Sequence, residues 1–301
     1  MSVARAGARH AGRLKLSLAL VVGFLVVQVV VGITTHSLAL LSDAGHMATD
    51  ALGLAMALAA ITAATRAARP NGTNGAGART FGLYRLEILA ALGNAVLLFA
   101  VAGYVLVEAG RRFGEPPHIS SLPVLLVGIL GLAVNVVGFL LLRAGAQESL
   151  NVRGAYLEVL SDLLGSVGVI VGASVMWATG WHWVDPVVGA AIGLFILPRA
   201  YRLGRDAMRV LVQAAPRDLQ VDDIHAALAS LAGVADVHDL HVWTLTSDME
   251  VLTAHLTVAE GVPTQPLLSA ARTLLAERFG LTHATLQVEE GGDHRCHDLS
   301  W

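Results

Sequence analysis

The chain carries the stretch LLSDAGHMATDALG at Leu40–Gly53, inside an apolar run from Leu38 to Ala64. Three residues of this stretch are ionisable: Asp43, His46 and Asp50. Their separations of three and four positions place them on one face of a helix. An ionisable side chain in a membrane-spanning helix costs about 3 kcal/mol or more unless it is paired or hydrated. This face therefore predicts a functional site inside a membrane.

Apolar runs of this kind recur along the first two-thirds of the chain. Hydrophobic residues make up 55% of the 301 residues and charged residues only 14%, against about a quarter in an ordinary soluble domain. Six runs reach the length of about 20 residues that crosses a bilayer as a helix. The predicted spans are Leu14–Thr34, Leu38–Ala64, Leu86–Ala109, Leu122–Leu142, Leu157–Ala178 and Val184–Leu203. This composition excludes a disordered chain and a typical cytosolic enzyme, and it predicts an α-helical membrane protein.

Basic residues flank the predicted spans unevenly. Lysine and arginine lie before span one and after spans two, four and six, whereas the alternate loops contain only Arg111 and Arg112, after span three. Since positively charged loops stay on the cytoplasmic side, we expect a multi-pass protein of the inner or plasma membrane with both termini in the cytoplasm. The formal net charge of −3 predicts no nucleic-acid partner, and the single cysteine, Cys296, excludes a disulfide within one chain.

The sequence changes character after about residue 205. Short elements replace the long apolar runs, in the order helix, strand, strand, helix, strand. They are predicted at Asp222–Leu231, Val234–Leu245, Glu250–Val258, Gln265–Phe279 and His283–Glu289. This order is typical of a ferredoxin-like α+β domain, and a domain of about 85 residues is small enough to favour dimerisation. We therefore predict a membrane domain at 1–205, a cytoplasmic metal-binding and dimerisation domain at 206–290, and a tail at 291–301.

A second pair of acidic residues lies in span five, within AYLEVLSDLLGS. Glu158 and Asp162 are four residues apart, and span five runs antiparallel to span two. At a rise of about 1.5 Å per residue, Asp50 lies at the depth of Glu158 and His46 at the depth of Asp162. One imidazole and three carboxylates predict a tetrahedral site for a divalent cation, with zinc favoured and cobalt, cadmium or manganese as competitors.

Other polar residues of the spans are assigned to structural roles. Asn94 and Asn135 are predicted to form hydrogen bonds between helices, and Glu108 is predicted to reach water near a helix end. The central parts of spans one, four and six contain no ionisable residue, so the sequence places the site between spans two and five. The structural alternative is that the acidic pairs only form hydrogen bonds between helices.

Motifs that are specific to one family are spread over nearly the whole chain. They are HSLALLSDAGHMATDALGL, YRLEILAALGN, NVRGAYLEVLSDLLGSVGVI, WVDPVVGAAIG and VHDLHVWTLTSDMEVLTAHL. Together they resemble the cation diffusion facilitator family of divalent metal/proton antiporters, in particular its bacterial cobalt–zinc–cadmium branch. The resemblance implies a homodimer with six spans per subunit and a cytoplasmic metallochaperone-like domain. It also implies export of a divalent metal ion from the cytoplasm in exchange for protons.

The resemblance assigns ligand positions of the transport site to His46, Asp50 and Asp162. The remaining position is commonly His in zinc members of the family, and here it is Glu158. Carboxylate is a harder ligand than imidazole, so the choice among zinc, manganese and cobalt stays open. Crowded carboxylates in a partly dehydrated site resist simultaneous ionisation, so we expect the empty site to hold protons that the metal displaces.

The C-terminal domain supplies a second set of candidate ligands. His238 and His255 match family positions around a cytoplasmic metal site, where bound zinc would regulate transport. His241 and Glu289 are weaker candidates for the same site. The final segment DHRCHD either binds metal or forms a tail without a site; its candidate ligands are His294, Cys296, His297 and Asp298.

Other classes of function have little support in the sequence. It contains no HExxH motif of a zinc protease and no P-loop beside a strand, so we expect neither an enzyme nor ATP-driven transport. We expect no cofactor beyond the transported metal and a regulatory zinc. The alternative functions are a membrane-bound metal sensor and a channel without proton coupling.

Overall fold

The computed structural model describes residues 3–67, 81, 84–114, 117–143, 150–246 and 249–290. Residue contacts divide the chain into two compact units. The helical unit consists of Met1–Thr80 and Ala90–Gly204, and the C-terminal unit consists of Phe81–Leu89 and Arg205–Trp301.

The part of the chain that the structure describes contains six long helices. They are α1 (Val3–Thr35), α2 (Leu38–Ala67), α3 (Tyr84–Arg112), α4 (Ser121–Arg143), α5 (Leu150–Thr179) and α6 (Val184–Leu211). Each predicted span lies inside one of them, and the predicted helical membrane domain is confirmed. Among the described residues, α1 and α3 to α6 are long and apolar enough to cross a membrane. The helix α2 has 30 residues but is not among these five, so the count of six spans stays a prediction.

Close packing holds the helical unit together. The helix α1 packs against α2 and α4, and α4 packs against α5. Their shared core includes Phe24, Leu40, Met47, Val127 and Val169. At Gly45 of α2, an added Cβ would lie 2.3 Å from Val101 Cγ1 of α3, so only glycine permits this approach. Lipid tails are as apolar as leucine, so packing of this kind and interhelical hydrogen bonds stabilise a membrane helix bundle.

The start of α2 is fixed by an aspartate at the start of α6. Asp185 Oδ2 accepts a hydrogen bond from the backbone N–H of Leu38 at 2.6 Å, and Asp185 Oδ1 accepts one from the Ser37 hydroxyl at 2.5 Å. The first N–H groups of a helix lack partners within that helix. Asp185 is therefore an N-terminal cap supplied by another helix, and it ties α2 to α6 at this end.

The C-terminal unit is a three-stranded sheet with helices. Its elements are α7 (Val221–Ala229), β1 (Val234–Thr246), β2 (Met249–Val258), α8 (Thr264–Phe279) and β3 (His283–Glu290). The strand order is β1-β2-β3; β1 is antiparallel to β2, and β3 is parallel to β2. A parallel pair needs a crossover connection, which α8 provides. The predicted α+β order is confirmed, and the element ends differ from prediction by no more than two residues.

The two faces of this sheet have different surroundings. Along β2, Leu252, Ala254 and Leu256 are buried, whereas the alternating Thr253 and His255 are only half-buried. Successive strand residues point to opposite faces, so the apolar set forms the core. This core also contains Ile224 and Leu228 of α7, and Ala271 and Leu275 of α8. The helices therefore cover one face of the sheet, and within the described residues the face of His255 stays partly open.

Candidate metal centres

The helical unit brings together three ligand-type side chains of α2 and α5. His46, Asp50 and Asp162 each place one ligand atom within 4.8 Å of the other two. We call these three residues the helix cluster. His46 Nε2 lies 2.8 Å from Asp162 Oδ1. Only 6% of His46 and 9% of Asp162 is exposed, so the two side chains meet in the interior of the helical unit.

The regular rise of the two helices predicts which side chains lie at the same depth. It places His46 level with Asp162, and these two side chains are in contact. It also places Asp50 level with Glu158. Glu158 lies in α5, one turn before Asp162, and its side chain is outside the part of the chain that the structure describes.

Asp43, the third ionisable residue of the opening stretch, has a partner of its own. Its Oδ2 accepts a hydrogen bond from Gln28 Nε2 of α1, and only 6% of the residue is exposed. A Cβ added at Gly165 of α5 would lie 3.4 Å from Asp43 Oδ1, so α5 passes close to this carboxylate. Asp43 therefore joins neighbouring helices and is not one of the three residues of the helix cluster.

The helix α6 contributes a residue that sequence reasoning missed. Arg199 Nη2 lies 2.9 Å from Asp50 Oδ1, and Arg199 Nη1 lies 3.2 Å from His46 Nε2. The prediction that spans two and five alone form the site is therefore incomplete. Arg199 lies four residues before Leu203, the predicted end of its span. A long arginine side chain can extend well away from its own backbone position, so a residue near the end of a span can contact the middle of another helix.

The structural roles predicted for the other polar residues hold in part. Asn135 Nδ2 of α4 donates a hydrogen bond to Ser166 Oγ of α5 at 3.1 Å, as predicted. Asn94 is buried, and its Oδ1 has no hydrogen-bond partner within the described residues. Glu108 does not simply face water, because it forms an ion pair of 2.9 Å with Arg112 one turn later in α3.

The C-terminal unit contains a second group of ligand-type side chains, on the open face of its sheet. His238, His255 and Glu289 place ligand atoms within 4.8 Å of one another, and we call them the sheet cluster. His255 Nδ1 lies 3.0 Å from Glu289 Oε1, and His238 Nε2 lies 3.4 Å from Glu289 Oε2. The side chains of His238 and His255 are 27% and 20% exposed, so solvent reaches this cluster.

Strand pairing explains the membership of the sheet cluster. His238 of β1 and His255 of β2 are direct cross-strand partners. Glu289 of β3 lies opposite Thr257, two residues after His255 and on the same face of the sheet. Glu289, a weaker candidate in the sequence, is thus in contact with both histidines.

His241 does not join the sheet cluster. The pairing register shifts between His238 and His241, and Asp239 between them adopts φ +50°, so strict alternation fails here. The His241 ring instead contacts Asp239 at 2.9 Å, and its side chain is 51% exposed. The predicted ligands of the final segment, at 294–298, lie outside the described residues.

Each cluster has the chemistry of a metal-binding site. A divalent ion of the zinc type takes about four nitrogen, oxygen or sulfur ligands, and each cluster offers three nitrogen or oxygen donors. The helix cluster has one imidazole and two carboxylates, and the sheet cluster has two imidazoles and one carboxylate. A four-coordinate ion bound to either set would therefore take one further ligand.

Comparisons with known proteins cover almost the whole chain. The family model described as the cation efflux transmembrane domain matches residues 14–212, and the model for the cytoplasmic domain of cation efflux proteins matches residues 216–291. The metal cation efflux system protein CzcD of Cupriavidus metallidurans is 47% identical over 92% of this chain and 85% of its own length. A cadmium, cobalt and zinc/H(+)-K(+) antiporter of Bacillus subtilis is 36% identical over 92% of this chain and 88% of its own. The zinc transporter ZitB of Pectobacterium atrosepticum is 36% identical over 91% of this chain and 83% of its own.

Proposed function

This chain belongs to the cation efflux family, and we propose that it exports a divalent metal ion from the cytoplasm in exchange for protons. Relatives that are similar along most of their length are named for metal cation efflux, for zinc transport and for antiport of cadmium, cobalt and zinc against protons and potassium. These names favour zinc as the cargo, with cobalt and cadmium as alternatives. Manganese is a further alternative on ligand chemistry alone.

The observation that carries this proposal is the helix cluster. A buried histidine and two aspartates from two long helices form a compact set of metal ligands, which would be costly in a membrane without a function. We propose that His46, Asp50 and Asp162 bind the transported ion and that Glu158 supplies the fourth ligand.

The ligand set bears on the choice of metal. With Glu158 included, the site has three carboxylates and one imidazole. Oxygen-rich sites suit harder ions, and imidazole suits zinc and its neighbours. The site is therefore expected to accept zinc and to discriminate less strongly against cobalt or manganese than a site with two histidines.

Proton exchange follows from the charge of the site. Carboxylates that lie close together in a dehydrated site resist simultaneous ionisation, so protons remain on the site when no metal is bound. Metal ligands bind in their deprotonated form, so an arriving metal ion displaces these protons. Alternating exposure of the cluster to the two sides would then move metal outward and protons inward.

We further propose that the sheet cluster binds a regulatory zinc ion. His238 and His255 are its ligands, with Glu289 as a third, and this donor set suits zinc. The C-terminal unit is small and would dimerise, so the functional protein would be a homodimer in the inner or plasma membrane, surrounded by lipid. Both termini would face the cytoplasm, and the protein would neither bind nucleic acid nor act as an enzyme.

Transport by purified protein in lipid vesicles tests the proposed function. We expect saturable Zn²⁺ flux that accelerates when a pH gradient is imposed, with protons moving in the opposite direction. Asp50→Ala removes a proposed ligand and should reduce the flux to that of protein-free vesicles. Asp223→Ala, an exposed position on α7, is the matched control and should transport normally.

Other outcomes would overturn the proposal in distinguishable ways. Flux that does not saturate and ignores the pH gradient indicates a channel. Zinc binding without any flux indicates a sensor. Normal, proton-coupled flux in Asp50→Ala would leave the transporter in place but remove Asp50 from its site.

A further inference from the structure

Arg199 of α6 contacts two residues of the helix cluster, Asp50 and His46. Its guanidinium contacts Asp50 Oδ1 at 2.9 Å through Nη2, and its Nη1 lies 3.2 Å from His46 Nε2 and 3.4 Å from His46 Nδ1. The same His46 Nε2 lies 2.8 Å from Asp162 Oδ1. The imidazole of His46 therefore has a carboxylate and a permanent cation as close neighbours, where a metal ion bound to the cluster would also lie.

A guanidinium cannot serve as a metal ligand. It carries five N–H donors and no acceptor, and it stays protonated at any physiological pH. It does what a cation does: it neutralises a carboxylate that would be costly to leave unpaired in this interior. A metal ion bound to His46 Nε2 and Asp50 would lie within a few ångströms of this positive charge. Arg199 and the metal ion therefore repel each other and compete for the negative charge of Asp50.

We propose that Arg199 is a tethered cation that pairs with Asp50 when no metal is bound, while the exchanged protons are held by His46 and Asp162, and that it leaves Asp50 and His46 when the metal enters. This inference rests on the proposed function of the helix cluster. Arg199 weakens metal binding and speeds metal release, because its return to Asp50 favours departure of the ion. It sets the affinity of the site without being one of its ligands.

The same contacts allow an alternative role for Arg199, which is to position Asp50 for the metal. Asp50 Oδ2 is buried and has no hydrogen-bond partner within the described residues, while Oδ1 faces Arg199. Arg199 could thus hold Asp50 in position and leave Oδ2 for the metal. The two roles predict opposite changes: loss of a competing cation tightens metal binding, and loss of a positioning contact weakens it.

The experiment measures Zn²⁺ affinity and transport for full-length Arg199→Gln and Arg199→Lys in lipid nanodiscs and vesicles. His238→Ala and His255→Ala are present in every sample, including the reference, so that the sheet cluster does not contribute to the titration. We expect Arg199→Gln to bind Zn²⁺ about tenfold tighter or more, with a lower KM and a lower kcat. Arg199→Lys keeps the charge and should remain within about threefold of the reference affinity. Arg202→Gln, which removes an exposed arginine of the same helix, is the matched control.

The possible results separate this inference from the proposed function. Unchanged or weaker Zn²⁺ binding in Arg199→Gln overturns the tethered-cation role, provided that Asp162→Ala abolishes binding in the same assay. If Asp162→Ala binds Zn²⁺ normally, the helix cluster is not the metal site, and the transport role proposed for that cluster fails. Equal tightening in Arg202→Gln would indicate a general charge effect and would also overturn the inference. Elution as a single species in gel filtration establishes that each variant is folded.

Discussion

The helix cluster and the sheet cluster use nearly the same ligands in different surroundings. Each consists of three histidine and acidic side chains with ligand atoms within 4.8 Å of one another. The helix cluster is buried and has an arginine among its neighbours, whereas the sheet cluster is partly open to solvent. Under the roles proposed above, the surroundings of each cluster, more than the identity of its ligands, would suit one to transport and the other to regulation.

Charge compensation is the first consequence of these surroundings. A buried carboxylate without a partner is strongly destabilising, so the helix cluster always requires a cation, whether a proton, a metal ion or the guanidinium of Arg199. In the proposed function, transport is an exchange among these cations at the helix cluster. Water can solvate the charges of the sheet cluster, so the proposed regulatory zinc ion could bind or leave without such an exchange.

The scaffolds differ as well. The two histidines of the sheet cluster are cross-strand partners, and hydrogen-bonded pairing fixes their separation. The helix cluster is assembled from separate helices, with His46 and Asp50 on α2 and Asp162 on α5, and its neighbour Arg199 lies on α6. Helices can shift relative to one another while each remains intact. A shift of α2 relative to α5 would therefore change the separation of the ligands in the helix cluster.

The largest expected effect comes from matched amide substitutions in the two clusters. Asp162→Asn should lower the initial rate of Zn²⁺ transport by about 100-fold, since it removes a charged ligand that contacts His46 at 2.8 Å. Glu289→Gln makes the same chemical change in the sheet cluster and should alter the rate by less than about threefold. Stopped-flow flux into vesicles with a zinc-sensitive dye measures both.

Protein content and orientation of each vesicle preparation are matched by surface labelling. A large loss of rate in Glu289→Gln would mean that the sheet cluster takes part in transport itself. A normal rate in Asp162→Asn would mean that the helix cluster is no more important for transport than the sheet cluster.

Much of the fold follows from local patterns in the sequence. Continuous apolar runs predict the helices, and alternating apolar residues such as Leu252, Ala254 and Leu256 predict β2 with its buried face. Helix α5 begins at Leu150, before the predicted start of its span at Leu157, because backbone hydrogen bonding continues where apolar composition ends. Depth along antiparallel spans brings His46 level with Asp162, since helical rise is regular.

The parts of both clusters that the sequence predicts weakly or not at all depend on contacts between elements. Arg199 reaches Asp50 through side-chain length, which a count of apolar residues does not measure. Glu289 joins the sheet cluster through the parallel register of β2 and β3, which no local pattern in β3 specifies. His241 is displaced by the irregularity at Asp239, and a single sequence contains no clear signal for a bulge there.

A smaller effect is expected from substitutions at the N-terminal caps of two helices, α2 in the helical unit and α7 in the C-terminal unit. Asp185→Ala removes the acceptor for the Ser37 hydroxyl and for the backbone N–H of Leu38, all of which are buried. The free energy of unfolding in detergent should fall by about 2 kcal/mol. Gln220→Ala, at the start of α7, should change it by less than about 0.5 kcal/mol, because Gln220 forms no side-chain cap. Thermal and SDS-induced unfolding of full-length protein measure both, and equal losses would show that Asp185 is not a special link between α2 and α6.

The smallest expected effect concerns zinc at the sheet cluster. Zn²⁺ at ten times its dissociation constant should stabilise the C-terminal unit by about 1.4 kcal/mol, seen as slower hydrogen exchange of β2 amides in the full-length protein. His255→Ala should remove this protection, because it deletes a ligand that contacts Glu289 at 3.0 Å. His241→Ala, on the same strand pair but paired with exposed Asp239, should retain it. Loss of protection in His241→Ala would mean that the sheet cluster rearranges around the metal to recruit that histidine. Protection that persists in His255→Ala would show that zinc acts on this domain from elsewhere, and the helix cluster would then be the one metal site of the two.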